Sequence, residues 1–381
     1  GYTFSESAPD ALFFEQRTRI NVTAEFTDDV TAFVEIDSYS NWGDDNFRRL
    51  DAADSEYGAG PVTRAIMPSS IATSGTPVNL YQAYVDIEEA LGTRVRLRIG
   101  RQEIQVGSEF LVGNNDTGSF FSGFSFDGIS TRSQWGEVVL RTWNTQLALN
   151  NNPARWEESG DVWFSGWYAS YIGFEDMNID AYIMRYYQAL TDPMEVAGFE
   201  DSITFYTIGA RFAGARAQFD WDADIAYQFG ESGLPSPMDD VNAIGATARL
   251  GYTFDVDYQP RIFINGTYLS GDDEDPPFNR LFPDHDYSHL LYPRRLTNVW
   301  IVGGRVGAQL TESIGMTLAA NYYNAVEDFG ASDSDLGYEV SLVATYQYSE
   351  ELGFSAGYAH FFTGDGLRDG QFVTADGTQR I

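Results

Sequence analysis

Arginine side chains occur at every second position of the segment RVRLRIGRQE, residues 94–103. Arg94, Arg96 and Arg98 alternate with aliphatic residues, and Arg101 follows three positions later. A guanidinium group stays charged at physiological pH, and its planar fork of N–H donors fits carboxylate and phosphate oxygens. The chemistry that this segment favours is therefore reversible binding of anions. The alternative is that these arginines only neutralise acidic side chains on neighbouring strands.

A run of carboxylates in the segment DDEDPP, residues 272–277, indicates a second kind of chemistry. Calcium takes about six to eight oxygen ligands, most of them from carboxylates and carbonyl groups, and Asp272, Asp273 and Asp275 supply several of them in one short run. The segment lacks the glycine and the terminal glutamate of an EF-hand loop. A solvated acidic surface explains such a run, and a loop-bound calcium ion is the alternative; we predict no other cofactor.

Histidine is scarce, with 3 residues in the chain, so few acid–base sites can be built. A hydrolase embedded in a barrel would need a histidine beside a serine or aspartate at a strand end. His360 with Ser355 or Asp365 is the one such combination in the sequence. His285 and His289 have i, i+4 spacing, but they lie in a proline-flanked loop that does not suit a helical zinc site. We predict that the protein is not an enzyme.

The elements that position the arginines are β-strands. In FFEQRTRINVTAEF, residues 13–26, Ile20, Val22 and Phe26 share one face while charged and polar side chains share the other. Successive side chains of a strand point to opposite faces, so this period of two predicts an extended segment. About sixteen such segments follow one another, and most are about ten to fourteen residues long. Strands of soluble sandwiches average about five or six residues.

The connections between these segments alternate between short turns and long loops. Short turns are predicted at 27–29, 89–93, 134–136, 175–178, 213–215, 255–259, 311–313 and 349–351, and the main long loops cover about 40–78, 104–123 and 271–296. This alternation is typical of outer-membrane barrels, which have short periplasmic turns and long extracellular loops. We predict an all-β fold, a transmembrane antiparallel up-and-down β-barrel of about 16 strands, in which residues 1–381 form one domain. A soluble carbohydrate-binding β-sandwich is the alternative.

The composition agrees with a membrane barrel and excludes several other classes. The chain carries 56 acidic and 23 basic residues, a net charge of −33, which argues against nucleic-acid binding. There is no Cys, so disulfides and thiol chemistry are excluded, and no apolar run is long enough for a spanning helix. Aromatic residues amount to 15%, and many of them lie near strand ends, as in the interfacial girdles of barrels. We therefore expect the protein in the bacterial outer membrane, in contact with the lipid bilayer and lipopolysaccharide.

The order of short and long connections also predicts where the chain ends lie. The first complete strand, 12–26, runs into a short turn, and the last strand, 352–362, ends in an outer loop. Both ends would then lie outside, which is rare in single-chain bacterial barrels. We predict one further strand before Gly1 and one after Ile381, which gives eighteen strands in the full protein.

In a membrane barrel the apolar face of each strand contacts lipid, so the arginines are expected to face the lumen. The strand arginines assigned to the pore lining are Arg17, Arg19, Arg94, Arg96, Arg98, Arg101, Arg132, Arg216, Arg249 and Arg305. Acids that share the inward face are Glu15, Glu25, Glu35, Asp37, Asp86, Glu88, Asp220, Asp222 and Asp224. Because these acids nearly balance the strand arginines, we predict only a mild preference for anions. Phe278, Leu281, Phe282 and Pro283 of loop 271–296 are expected to pack into the lumen, unless cations order this loop.

Several segments together resemble the alginate-export family of outer-membrane channels. They are GRQEIQVGSEFLVGN (100–114), SFDGISTR (125–132), GYTF (251–254), LSGDDEDPPFNRLFPDH (269–285) and YAHFFTGD (358–365). The resemblance implies an eighteen-stranded monomeric barrel that passes an anionic polysaccharide through an arginine-lined pore. By that likeness, Arg98, Arg101, Arg132 and Asp127 would line the constriction.

The expected function is therefore an outer-membrane channel that passes an anionic polysaccharide or oligosaccharide. The alternative within transport is a substrate-specific porin for the uptake of small organic nutrients. The expected partners are an anionic glycan or a small anionic solute, together with periplasmic export proteins.

Overall fold

The computed structural model of this chain describes residues 13–43, 78–114, 124–147, 162–189, 202–234, 238–272, 274–284, 287–288, 296–328 and 333–368. Sixteen strands account for most of these residues. A 3₁₀ turn covers Ala90–Gly92, and one short helix, α1, covers Asp365–Arg368. Within this described part of the chain, no helix is long and apolar enough to cross a membrane.

The strands range from 8 to 15 residues in length. They are β1 (Phe13–Thr27), β2 (Val30–Gly43), β3 (Val78–Ile87), β4 (Val95–Gln102), β5 (Phe126–Trp135), β6 (Val138–Leu147), β7 (Val162–Tyr171), β8 (Met177–Ala189), β9 (Ser202–Arg216), β10 (Phe219–Glu231), β11 (Asp240–Thr253), β12 (Arg261–Leu269), β13 (Val299–Gln309), β14 (Ile314–Ala325), β15 (Asp335–Gln347) and β16 (Gly353–Thr363).

These strands form one 16-stranded sheet in which each strand pairs with the next along the chain. Every pairing is antiparallel, so the predicted up-and-down β-barrel is confirmed. Short connections follow the odd-numbered strands and long ones follow the even-numbered strands. The end with short turns is called the periplasmic end here, and the other is the outer end. The count of eighteen strands stays a prediction.

One predicted turn was misplaced. The turn expected at 213–215 lies instead at Ala217 and Gln218, because β9 continues to Arg216 and pairs with Phe219 of β10. Ala217 adopts a φ of 54°, in the left-handed region that tight hairpin turns use. This shift of three to four residues changes the face on which Arg216 lies.

The two faces of the sheet differ as the sequence alternation predicts. One face exposes large apolar side chains such as Ile225 (56% exposed), Ile264 (61%) and Val302 (55%). In a β-barrel of the outer membrane this is the surface that contacts lipid. The opposite face carries the charged side chains and surrounds a buried hydrophobic cluster. That face lines the lumen.

Two loop segments fold into the lumen near the outer end. The segment 103–114 follows β4, the segment 274–284 follows β12, and the two together are called the plug. They meet in a parallel bridge between Val112 and Phe282. The amide of Gly113 donates to the Phe282 carbonyl at 2.7 Å, and the Phe282 amide donates to the Leu111 carbonyl at 2.8 Å. The plug is therefore held by backbone hydrogen bonds as well as by packing.

Aromatic packing joins the plug to the barrel wall. Phe282 is 3% exposed, and its ring centroid lies 5.0 Å from those of Phe126 and Phe164 on β5 and β7. Phe278 is 1% exposed and sits against Gly245 of β11, where an added Cβ would come within 2.3 Å of the ring. Burial of each such ring is worth roughly 1.5–3 kcal/mol. The structure thus places Phe278 and Phe282 of loop 271–296 in the lumen, as the sequence predicts.

Candidate functional site

Within the described strands, the lumen wall carries ten inward arginines on eight strands. Register and burial place Arg17, Arg19, Arg96, Arg98, Arg132, Arg141, Arg211, Arg249, Arg261 and Arg305 on this face. What distinguishes them is whether an acidic side chain already holds the guanidinium group. The wall therefore contains arginines that an acidic side chain neutralises and arginines whose positive charge is not neutralised.

Asp86 of β3 neutralises the arginine row of β4. Arg98 donates to both oxygens of Asp86 at 2.8 Å, and its guanidinium carbon lies 3.8 Å from the ring centroid of Tyr84. Arg96 pairs with the same carboxylate and also with Glu88, the latter at 3.0 Å. The predicted anion-binding ladder on β4 is therefore largely an internal ion-pair network.

Arg94 does not belong to this row. β4 begins at Val95, so Arg94 lies in the exposed bend before the strand, at the periplasmic end. Its expected place in the pore lining is wrong, because the alternation of side chains holds only inside the strand. The row on β4 has two arginines.

The next two strands carry arginines with no acidic partner. Arg132 of β5 lies opposite Arg96 in the register of β4 and β5, and opposite Arg141 in that of β5 and β6. Neighbouring strands are about 4.8 Å apart, so three guanidinium groups lie side by side across the wall. Among the described residues, neither Arg132 nor Arg141 forms an ion pair, and Arg141 donates to the carbonyl of Gln105 at 3.2 Å.

These arginines line a pocket of about 170 Å³ beneath the plug. Its lining includes Arg96, Arg98, Arg132 and Arg141, together with the aromatic ring of Trp143. Trp143 is 4% exposed, and its indole N–H meets no acceptor in the described part of the chain. A buried donor without an acceptor is costly, and this N–H has almost no accessible surface toward the pocket.

The arginines of β1 are held by acids of β2 and by the plug. Arg17 pairs with Asp37 at 3.0 Å. Arg19 lies 3.6 Å from Glu35 and 3.9 Å from Glu103 of the plug, with its guanidinium carbon 4.2 Å from the Tyr81 ring centroid. Both positions face the lumen as predicted, and both are close to electrically neutral.

Acids predominate on β8 and β10. Arg211 pairs with Asp180 at 3.0 Å and with Asp222 at 2.6 Å. Two stacked tyrosines, with centroids 5.6 Å apart, donate to this cluster. The Tyr168 hydroxyl donates to Asp180 at 2.7 Å and the Tyr182 hydroxyl to Asp224 at 2.6 Å. In this part of the wall the carboxylates neutralise the positive charge of Arg211.

A second basic group surrounds Phe263 on β12. The guanidinium carbons of Arg249, Arg261 and Arg305 lie 5.8, 5.2 and 5.3 Å from its ring centroid. Arg261 pairs with Asp220 at 2.7 Å. Arg249 lies opposite Asp222 in the register of β10 and β11, but Arg211 already holds that carboxylate. Arg249 thus adds to the positive surface of the lumen.

Arg101 and Asp127, which the family resemblance places at the constriction, lie on the outer face. Arg101 follows Arg98 by an odd number of residues and shares the face of Ile99, and Asp127 shares that of Ile129. They pair with each other at 2.8 Å, close to the outer end of their strands. A lipid-facing arginine costs about 2–4 kcal/mol at the midplane but about 0–1 near the interface.

Arg216 also faces outward, at the periplasmic end. Its side chain is 79% exposed and lies 3.6 Å from Asp176. The register of β9 pairs it with Phe219, an outward residue. The assignment of Arg216 to the pore lining is therefore wrong, because the turn lies beyond this residue and not before it.

Glu109 of the plug is a carboxyl group in an acidic setting. Burial, followed by the nearby carboxylates of Asp284 and Glu103, raises the pKa of Glu109 to about 7. A hydrogen bond to Asp284 favours the protonated form. Because Asp284 belongs to the other plug segment, the charge of Glu109 affects the contact between the two segments.

The calcium site stays a prediction. Asp273 lies outside the described residues, and the Asp272 carboxylate accepts the Glu274 amide at 2.8 Å. No group of three or more His, Asp or Glu suited to a metal ion occurs within the described ranges.

The residues of the hydrolase alternative do not come together. His360 lies on the outer face of β16, 4.3 Å from the ring centroid of Phe362. Ser355 pairs with Thr345 on the inward face of the same strand, because an odd number of positions separates it from His360. His285 and His289 lie outside the described residues.

Several residues of the lumen site were not assigned from the sequence. They are Arg141, Trp143, Tyr168, Tyr182, Arg211 and Arg261. The alternation of β6 around Trp143 and Val139 was a usable signal for Arg141. No local pattern indicates that Trp143 lacks an acceptor, since that depends on the packing of other strands.

Comparison with known proteins agrees with the architecture. The profile of the Alginate export family matches residues 5–378. Acinetobacter baumannii OccAB4 is similar in structure, with a TM-score of 0.61, 10% identity and coverage of 94% of this chain and 89% of that chain. Pseudomonas aeruginosa OccK8 (OprE) has a TM-score of 0.57, 14% identity and coverage of 93% and 89%. No curated protein matches the sequence.

At these identities the structural likeness concerns the fold alone, which is that of outer-membrane β-barrel porins. The family match covers nearly the whole length of the chain. The protein therefore belongs to the alginate export family and is a β-barrel channel of the bacterial outer membrane.

Proposed function

We propose that this channel passes small solutes that carry a carboxylate, and that they bind transiently in the pocket beneath the plug. The observation that carries the proposal is the pair Arg132 and Arg141. These adjacent arginines have no acidic partner in the described part of the chain, and they line the same pocket as the ring of Trp143. A carboxylate fits the planar fork of a guanidinium group.

The size and surroundings of the pocket favour a small solute. The pocket measures about 170 Å³. Buried aromatic rings of the plug lie above it in the lumen. A solute of about the size of one sugar ring fits this space better than an extended polymer.

Neighbouring ion pairs keep binding weak. Asp86 and Glu88 neutralise Arg96 and Arg98, so only part of the arginine row attracts an anion. Conduction needs sites from which a solute leaves about as easily as it enters. The lumen thus favours anions mildly, in keeping with its mixture of charges.

An anionic polysaccharide or oligosaccharide is the second candidate, and the family match favours it. The arginines around Phe263 would extend a path for a chain of carboxylates along the wall. Passage of a polymer would require displacement of the plug and periplasmic export proteins as partners. A small solute requires neither.

Bilayer recordings test the proposal. In a potassium chloride gradient, R132Q/R141Q should move the reversal potential toward that of a cation-preferring pore. Sodium glucuronate should interrupt the wild-type current, and R132Q/R141Q should weaken this block. The control is R216Q, which removes an arginine from the outer face and should change neither measurement.

The outcomes separate the candidates. The proposal fails if R132Q/R141Q changes neither the reversal potential nor the glucuronate block. Efflux of a uronate polymer from vesicles through a channel with an intact plug would favour the polysaccharide. Passage of glucuronate with exclusion of the polymer would favour the small solute.

A further inference from the structure

A group of polar side chains interrupts the apolar outer face on β4 to β8. This outer polar patch consists of Arg101, Asp127, Asn144, Gln146, Ser165 and Arg185. On the neighbouring strands the outward positions near the outer end are aromatic, as at Tyr206, Phe229 and Tyr268. These rings mark the level at which the bilayer meets water.

The register shows that the patch is continuous. One row runs Arg101, Asp127, Gln146, Trp163 and Tyr187 across five strands. The adjacent row, one pleat closer to the periplasm, contains Asn144, Ser165 and Arg185 and continues to Tyr206. Neighbouring strands lie about 4.8 Å apart. The six polar side chains thus form one surface within the aromatic level.

Within this patch the charges are not balanced. Arg101 donates to both oxygens of Asp127 at 2.8 Å and to the Leu80 carbonyl at 3.0 Å. Its guanidinium group is therefore already engaged in hydrogen bonds. Arg185 has no acidic partner among the described residues, and its guanidinium carbon lies 5.2 Å from the Tyr187 ring centroid. One positive charge therefore remains on the lipid-facing surface.

The hydrogen-bonding groups around Arg185 suit a sugar as well as an anion. The Ser165 hydroxyl donates to the Asn144 side-chain oxygen at 2.7 Å, which leaves the Asn144 amide N–H groups as donors. Gln146 lies in the next row, beside the Asp127 carboxylate, which is 45% exposed. Amides and carboxylates of this kind bind hydroxyl groups, and the guanidinium fork binds phosphate oxygens.

We propose that the outer polar patch binds the phosphorylated sugar headgroup of a lipopolysaccharide molecule in the outer leaflet. Arg185 contacts a phosphate, and Asn144, Gln146 and Asp127 contact sugar hydroxyl groups. An arginine is costly in the hydrocarbon region but not at the interface. The charge is therefore tolerated at the one depth where a lipid phosphate can reach it. The site lies on the face opposite the lumen and is independent of the proposed solute.

Native mass spectrometry of the folded protein in non-ionic detergent tests the site, with bisphosphorylated lipid A as the probe. R185Q should lower the apparent affinity about tenfold, in the range expected for loss of a charge-assisted hydrogen bond. R185K keeps the positive charge but lacks the planar guanidinium group, so its affinity for lipid A should lie between those of R185Q and the wild type. The matched control is R216Q, which removes an outward arginine at the periplasmic end and should bind lipid A like the wild type.

A heat-dependent shift in gel mobility confirms that each variant is folded before binding is measured. Dephosphorylated lipid A should bind R185Q and wild type equally. Phosphatidylglycerol, tested as a general anionic lipid, should distinguish them little. The proposal is overturned if folded R185Q binds lipid A like the wild type, or if phosphatidylglycerol binds as tightly as lipid A and loses as much affinity with R185Q. Conductance of R185Q should be unchanged, because Arg185 does not face the lumen.

Discussion

Arginine side chains on adjacent strands of the lumen wall have different electrostatic environments. Asp86, with a side chain 6% exposed, holds both Arg96 and Arg98. Arg132, on the next strand, has no acidic partner in the described part of the chain. Because a buried carboxylate needs its cation, Arg98 stabilises the barrel, whereas Arg132 is free to act on solutes.

The first prediction concerns this difference. R98Q leaves the Asp86 carboxylate with one arginine fewer, and it should lower the free energy of unfolding by about 1.5–3 kcal/mol, the usual contribution of a hydrogen bond to a charged group. R132Q should change it little. Urea-induced unfolding in lipid vesicles measures both.

A double-mutant cycle gives the control. D86N/R98Q should cost less than the sum of D86N and R98Q, since each single change removes the same contact. Additive effects would show that Arg98 and Asp86 do not depend on one another, contrary to their hydrogen bonds.

The second prediction concerns the pKa of Glu109. In the docked plug this pKa is about 7, against an ordinary value of 4.5, because of burial and the carboxylates of Asp284 and Glu103. The docked state therefore holds a proton that the released state loses. The resulting stabilisation is complete below about pH 4.5 and is lost as the pH rises through about 7.

Single-channel recordings between pH 5 and pH 8 measure the effect. The wild-type plug should open more often at pH 8, and E109Q should remove most of this dependence, because glutamine stays neutral and still donates to Asp284. Equal pH dependence in E109Q and wild type would assign the titration to another group.

At the scale of structural elements, docking of the plug depends on a wall position that has no side chain, Gly245. Phe278 packs over Gly245, and a Cβ there would lie within 2.3 Å of the ring. Gly357, on β16, also faces the lumen, but its nearest neighbour to an added Cβ is the Val343 side chain at 3.5 Å. The two glycines differ in whether a plug ring covers them.

The third prediction follows from this pair. G245A should displace Phe278, loosen the plug and raise the single-channel conductance, whereas G357A should leave conductance near the wild-type value. Limited proteolysis after Arg280, which is 2% exposed, should become faster in G245A. Conductance and cleavage that respond alike to both substitutions would show that Gly245 has no special part in docking.

At the scale of the whole molecule, the sequence predicts the wall well and the lumen incompletely. Alternating side chains and alternating loop lengths are local features, so they predict the strands and the two faces. The same alternation sets Arg101 on the face opposite Arg98, so the assignment of Arg101 to the pore lining, made with the other strand arginines and again by the family resemblance, is wrong. The face of Arg216 depended on the position of a turn, and the turn lies three to four residues beyond its predicted place.

The partners in the ion pairs, and the wall residues that the plug contacts, could not be predicted in the same way. The contact of Arg19 with Glu103, and that of Phe278 with Gly245, join segments that are far apart in the chain. Periodicity carries no information about such distant partners. The arginines that no acidic side chain neutralises could therefore be identified only once their neighbours in space were known.

The bridge between Val112 and Phe282 also sets an order of events during folding. Eight strands, β5 to β12, lie between the two plug segments, and contacts between distant segments form late because a long loop must close first. In pulse-labelling hydrogen exchange during refolding into vesicles, the Gly113 amide should become protected after the amides of the β7–β8 hairpin. Protection of Gly113 as early as the hairpin would contradict this order. Until that step, the barrel is an assembled pore without a plug. The permeability of the membrane is therefore highest during folding of the channel.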